Sequence, residues 1–82
     1  MIMKWKITNR NDRDHYVDAV SIEPIGYEYH GFMENFQPNG YGALYKEQTL
    51  VKCGYWENGE LSDENQLSYE EYQKIMNKYF NS

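Results

Sequence analysis

Gly31, Met33 and Asn35 recur as Gly54, Trp56 and Asn58, each pair separated by the same 23 residues. A fixed period in the twenties marks one supersecondary unit used again beside itself. In an 82-residue chain this unit must supply much of the core. A chain of that length makes one thin-cored domain, here residues 1–82. Leu, Ile, Val and Phe number only 15, too few for an aliphatic interior. Aromatics make up 17% of the chain, with nine tyrosines, and can fill the gap. Each buried ring removes roughly 150–250 Å² from water, so the sequence predicts a folded domain with an aromatic core.

The periodicities assign the elements. Met3, Trp5 and Ile7 alternate with Lys4, Lys6 and Thr8, the period of a half-buried strand. Residues 9–14 read as a polar loop and Tyr16 to Glu23 as a second strand. Glu23-Pro24-Ile25-Gly26 reads as a turn. Along Tyr27 to Glu34, Tyr27, Tyr29, Gly31 and Met33 share one face, and Glu28, His30, Phe32 and Glu34 share the other. Gln37-Pro38-Asn39-Gly40 reads as a proline-led turn, followed by strands over Tyr41 to Lys46 and Leu50 to Glu57. Asn58-Gly59 is a tight-turn signal, because both residues tolerate positive φ. The period then changes. Tyr69, Tyr72, Ile75, Met76, Tyr79 and Phe80 form one helical stripe. Ser68 with Glu71 makes a capping box, and Leu67 with Tyr72 a hydrophobic staple. The expected class is mostly β with one C-terminal α-helix (α+β). An antiparallel meander of about five strands spans residues 1–26 and 27–61, capped by an amphipathic helix over 68–80.

The segment Tyr29-His30-Gly31-Phe32-Met33-Glu34-Asn35-Phe36-Gln37-Pro38-Asn39-Gly40-Tyr41-Gly42 resembles a MORN repeat, whose pattern runs roughly Y-x-G-x-W-x-x-G-x-x-x-G-x-G. Tyr29, Gly31, Gly40 and Gly42 fill their slots, Met33 stands in the tryptophan slot, and Phe36 stands where the family prefers glycine. A second, partial copy begins at Lys52 and carries Gly54, Trp56, Asn58 and Gly59. Its paired-glycine slots hold Asp63 and Asn65. About one and a half degenerate repeats therefore cover residues 29–61. The resemblance implies stacked β-hairpins, glycines that let large rings lie across bare backbone, and an interaction scaffold without catalytic residues. Family members are linked to protein partners and sometimes to membranes.

Charge narrows the partners. The net charge is −5, which disfavours direct binding to nucleic acid or to an anionic membrane. From Glu57 to Glu71 the chain carries Glu57, Glu60, Asp63, Glu64, Glu70 and Glu71 with no base. The single cysteine, Cys53, rules out an internal disulfide, and no stretch is long and apolar enough to span a membrane. The first residues lack a signal-peptide core, so the expected compartment is the cytoplasm.

Chemistry-bearing residues are sparse. Cys53 reads as a strand residue, His30 as a solvated surface histidine, and Asp12, Asp14 and His15 as a charged loop without metal-site spacing. No cofactor, metal or catalytic residue is assigned. The expected function is protein binding. The candidate contact residues are the surplus aromatics Tyr27, Tyr29, Tyr41, Tyr45, Tyr55 and Trp56 and the acids Glu57, Glu60, Asp63 and Glu64. Three alternatives stand beside it: a small acidic inhibitor, of phage or mobile-element type, docking on the basic groove of a nucleic-acid enzyme; a small-ligand or carbohydrate binder using stacked tyrosines; and a homo-oligomer formed through an open sheet edge.

Overall fold

A computed structural model of the protein describes residues 3–10 and 15–81. The predicted loop over 9–14, with Asp12 and Asp14, falls largely outside the described residues. Six strands form one antiparallel sheet in chain order: β1 (Lys4–Arg10), β2 (Tyr16–Glu23), β3 (Ile25–Glu34), β4 (Gln37–Lys46), β5 (Thr49–Trp56) and the short β6 (Gln66–Leu67). A 3₁₀ turn at Asp63–Asn65 precedes β6, and helix α1 (Tyr69–Asn81) closes the chain. The meander and the terminal helix agree with the sequence. The two-residue β6 is an addition that no periodicity could announce.

Tight turns set the register. Asn58-Gly59 reverses the chain as predicted, with both residues at positive φ and paired backbone hydrogen bonds between Glu57 and Glu60. The second predicted turn is corrected. Gln37-Pro38-Asn39-Gly40 belongs to β4, and the reversal is made by Asn35-Phe36 between the paired residues Glu34 and Gln37. Asn35 and Phe36 both hold positive φ, at 54° and 63°. Pro38 is tolerated in a strand because it sits beside a bulge in the β3–β4 register, where its missing N–H breaks no regular ladder. Its carbonyl accepts from the Gly59 amide at 2.8 Å, tying the two repeat hairpins together.

Three glycines line up across the sheet, with Gly31 opposite Gly42 and Gly42 opposite Gly54. Tyr29 lies over this bare strip and is fully buried. A Cβ on Gly31 would meet the Tyr29 hydroxyl at 2.7 Å, and a Cβ on Gly42 would overlap the Tyr29 ring. The Tyr29 hydroxyl donates to the Phe32 carbonyl at 2.7 Å, and the Trp56 indole N–H donates to the Gly42 carbonyl at 2.9 Å. Trp5, Tyr29 and Trp56 form a ring ladder, with centroids 5.9 and 5.6 Å apart. Val17, Ala19, Met33, Leu44 and Leu61 complete this core. At roughly 25 cal/mol per Å², each ring contributes on the order of 4–6 kcal/mol of gross burial.

The sheet's other face carries α1. Ser68 and Glu71 form the predicted capping box. The Ser68 hydroxyl accepts from the Glu71 amide at 3.2 Å, and the Glu71 carboxylate accepts from the Ser68 amide at 3.4 Å. Tyr72 and Met76 bury against Ala43 and Cys53, with Leu67 beside them. The small Ala43 lets the helix approach closely. Tyr16, Phe32, Tyr79 and Phe80 pack edge-to-face, with centroids 5.2–5.3 Å apart.

Gly42→Ala should destabilise the fold by about 1–3 kcal/mol through overpacking against Tyr29, and Ser68→Ala by about 1 kcal/mol through loss of the cap. Urea unfolding measures both.

Candidate functional site

With α1 on one face, a concavity opens on the other. A cleft of about 690 Å³ runs between Met3 and the hairpin that carries Glu57 to Glu60. Tyr27, Leu44 and Trp56 contribute its apolar lining, and Val51 and Lys52 of β5 form a side. The cleft exists because the Asn58-Gly59 turn folds the chain back and Leu61 packs into the core beside Trp56. Val51 is 49% exposed. Lys52 Nζ lies 5.3 Å from the Trp56 ring centroid, and Lys46 Nζ lies 5.2 Å from that of Tyr27. Beside the cleft, β6 pairs with Cys53 and Gly54, and among the described residues no strand pairs with the outer edge of Thr49 to Lys52.

The ten residues singled out in the sequence do not share one place. Tyr27, Trp56, Glu57 and Glu60 line the cleft. Tyr29 and Trp56 are corrected from surface anchors to core residues, 0% and 4% exposed, because the glycine strip gives them room inside. Asp63 and Glu64 are exposed on the 3₁₀ turn next to the cleft. Tyr45 sits half-buried, with its ring 5.4 Å from His30, and burial beside Tyr69 raises its pKa. Tyr41 and Tyr55 face each other across β4 and β5, with centroids 5.0 Å apart. They lie in a second concavity of about 320 Å³ on the helix side, lined also by His15, Phe32, Tyr79, Glu34 and Asn39.

No protein-family model matches the chain, and no curated protein or solved structure matches it significantly. Its function is therefore argued from these surfaces.

His30, expected as a solvated surface histidine, is part-exposed and also paired. Its Nδ1 lies 2.7 Å from Asp18 across the β2–β3 pair, and its Nε2 lies 3.4 Å from Glu28. The two carboxylates approach opposite ring nitrogens and do not converge on one point. Among the described residues, no group of three or more His, Cys, Asp or Glu side chains is arranged to hold a metal. Cys53 is buried, with its thiol 3.4 Å from the Leu67 carbonyl, and burial pushes its pKa up. Among the described residues, no helix is long and apolar enough to cross a membrane.

Sequence reasoning missed Met3, Leu44, Val51, Lys52 and Leu61 as cleft residues. They come from four separated segments, and only the folded register brings them together.

Burial, reinforced by neighbouring tyrosines, raises the pKa of Tyr29 and of Tyr72 far above 10.0. Both phenols stay protonated in the fold while the unfolded chain ionises near pH 10. Stability is therefore fully present below pH 10 and falls as the pH rises further, by up to about 1.4 kcal/mol per pH unit for each phenol. Urea midpoints at pH 9 and pH 11 should show the drop, and Tyr72→Phe should reduce its steepness.

Proposed function

We propose that this chain is a non-catalytic protein-binding module that seats a partner segment in the cleft beside β5. The observation that carries this reading is the cleft's composition: an apolar lining of Tyr27, Leu44 and Trp56 under a lip bearing Glu57 and Glu60, on the face α1 leaves uncovered. Apolar centres ringed by charge are what specific interfaces use, with aromatic side chains as anchors. The open edge at Thr49 to Lys52 lies along the same side and offers main-chain hydrogen bonds to an extended segment. The likeness of residues 29–61 to MORN repeats supports the same class of function, that of an interaction scaffold.

The acidic lip selects the partner's charge. Among the described residues, no Lys, Arg or His pairs with Glu57, Glu60, Asp63 or Glu64. All four are exposed on one lobe, so the complementary surface is basic. The same charge favours a narrower reading, an inhibitor that occupies the basic groove of a nucleic-acid enzyme.

Val51→Asp should keep the fold, since Val51 is half exposed, and should cut capture of the cognate partner about tenfold or more. Pull-downs with the parent and the variant at two salt concentrations test this. A partner held equally by both proteins contradicts the cleft assignment. Steep loss at moderate salt favours the basic-groove partner, and salt-insensitive capture argues against it.

A further inference from the structure

The concavity on the helix side is chemically unlike the cleft. Phe32 on β3, Tyr41 on β4, Tyr55 on β5 and Tyr79 on α1 bring four aromatic rings to a space of about 320 Å³. The rings form two edge-to-face pairs, Tyr41 with Tyr55 at 5.0 Å and Phe32 with Tyr79 at 5.3 Å. Phe32 and Tyr79 are further packed against Tyr16 and Phe80, while Tyr55 is 42% exposed, so the accessible ring surface comes chiefly from the Tyr41–Tyr55 pair. Glu34 adds a carboxylate to the same wall, fixed by the Asn39 side-chain amide, which donates to its Oε2 at 2.8 Å. His15 also lines this space, and among the described residues no Lys or Arg lines it or pairs with Glu34. Two features of the groove favour a cation, the ring quadrupoles and the Glu34 carboxylate.

We infer that this groove is a binding site for a compact alkylated ammonium ion, such as a trimethylammonium group. Aromatic faces attract a cation by their quadrupole, most strongly when the ion sheds its water easily. An unmodified ammonium is strongly hydrated and needs acceptors for three N–H groups. The groove supplies one carboxylate and phenol rings, so it suits a cation that has no N–H to satisfy. The volume lies at the lower end of the small-ligand range of roughly 300–1,000 Å³, which fits a head group with part of its stem. Tyr41 and Tyr55 act here as ring faces, and Glu34 acts as the counter-charge. The site is separate from the cleft beside β5 and does not depend on what that cleft binds.

The test uses the full chain and choline, with 3,3-dimethylbutanol as the uncharged carbon isostere. Amide and ring resonances are followed by NMR. Choline should shift Tyr41, Tyr55, Tyr79 and Glu34 in a saturable way, and the isostere should bind far more weakly. Tyr55→Ala and Glu34→Gln should each weaken choline about 3–10-fold, and preserved amide dispersion shows that each variant remains folded. A peptide carrying trimethyllysine, compared with its unmodified form, separates a protein-borne source from a free small molecule. Equal binding of the isostere, the absence of saturable shifts with both choline and the trimethyllysine peptide, or unchanged choline affinity in both variants would overturn the assignment.

Discussion

Tyr29 lying across Gly31 and Gly42 is the contact on which the rest of the fold depends. A sheet of this size, with so few aliphatic residues, needs rings inside. Rings fit inside only where a strand lacks side chains. The glycine row supplies that gap, and the hydroxyl and indole groups of Tyr29 and Trp56 find backbone carbonyls within the same strip. Both polar tips are therefore satisfied, and burying them costs little. The same row explains why β6 can sit where it does. A Cβ on Gly54 would collide with the Asn65 carbonyl, so a larger residue there would push the returning chain off the sheet edge.

From that contact the two faces acquire different roles. The ring ladder closes most of one face but leaves a cleft where the acidic hairpin turns away from β1. The other face offers Ala43 and Cys53, small enough for a helix to approach, and α1 covers it with Tyr72 and Met76. Helix placement thus decides what a partner can reach. The apolar floor with its acidic lip stays open, and the groove near the end of α1 presents Tyr41 and Tyr55 without burying them in the core. Large exposed side chains also mark two turns, Phe36 at 76% and Ile25 at 83%. Neither is needed for the core.

Elements whose signal is local were legible in the sequence. The helix declared itself by its stripe and its cap; the cap persists, and of the stripe Tyr72 and Met76 are buried, Ile75 is half-buried, and Tyr69, Tyr79 and Phe80 stay exposed. The alternation in β1 and the Asn58-Gly59 turn were equally plain. The turn at Asn35-Phe36 was not, because Pro38, Asn39 and Gly40 carry stronger turn chemistry than the residues that bend. There the pairing of Gly31 with Gly42 and the bulge beside Pro38 outweighed local preference. The 23-residue repeat pointed to hairpins with rings over glycine, but not to which rings would be lost to the interior. Tyr29 and Trp56 looked like spare aromatics until the glycine row gave them space. The Asp18–His30 pair was also hidden, since cross-strand neighbours depend on register and not on spacing.

The most direct test of this account is the proton NMR spectrum of the glycine row. A ring stacked on Gly42 should move its α-protons well upfield of their random-coil positions and give nuclear Overhauser contacts to the Tyr29 ring. Tyr29→Leu should abolish both effects at Gly42. Gly42 α-protons at random-coil positions, without contacts to Tyr29, would contradict the glycine-row account of the core and of the two faces built on it.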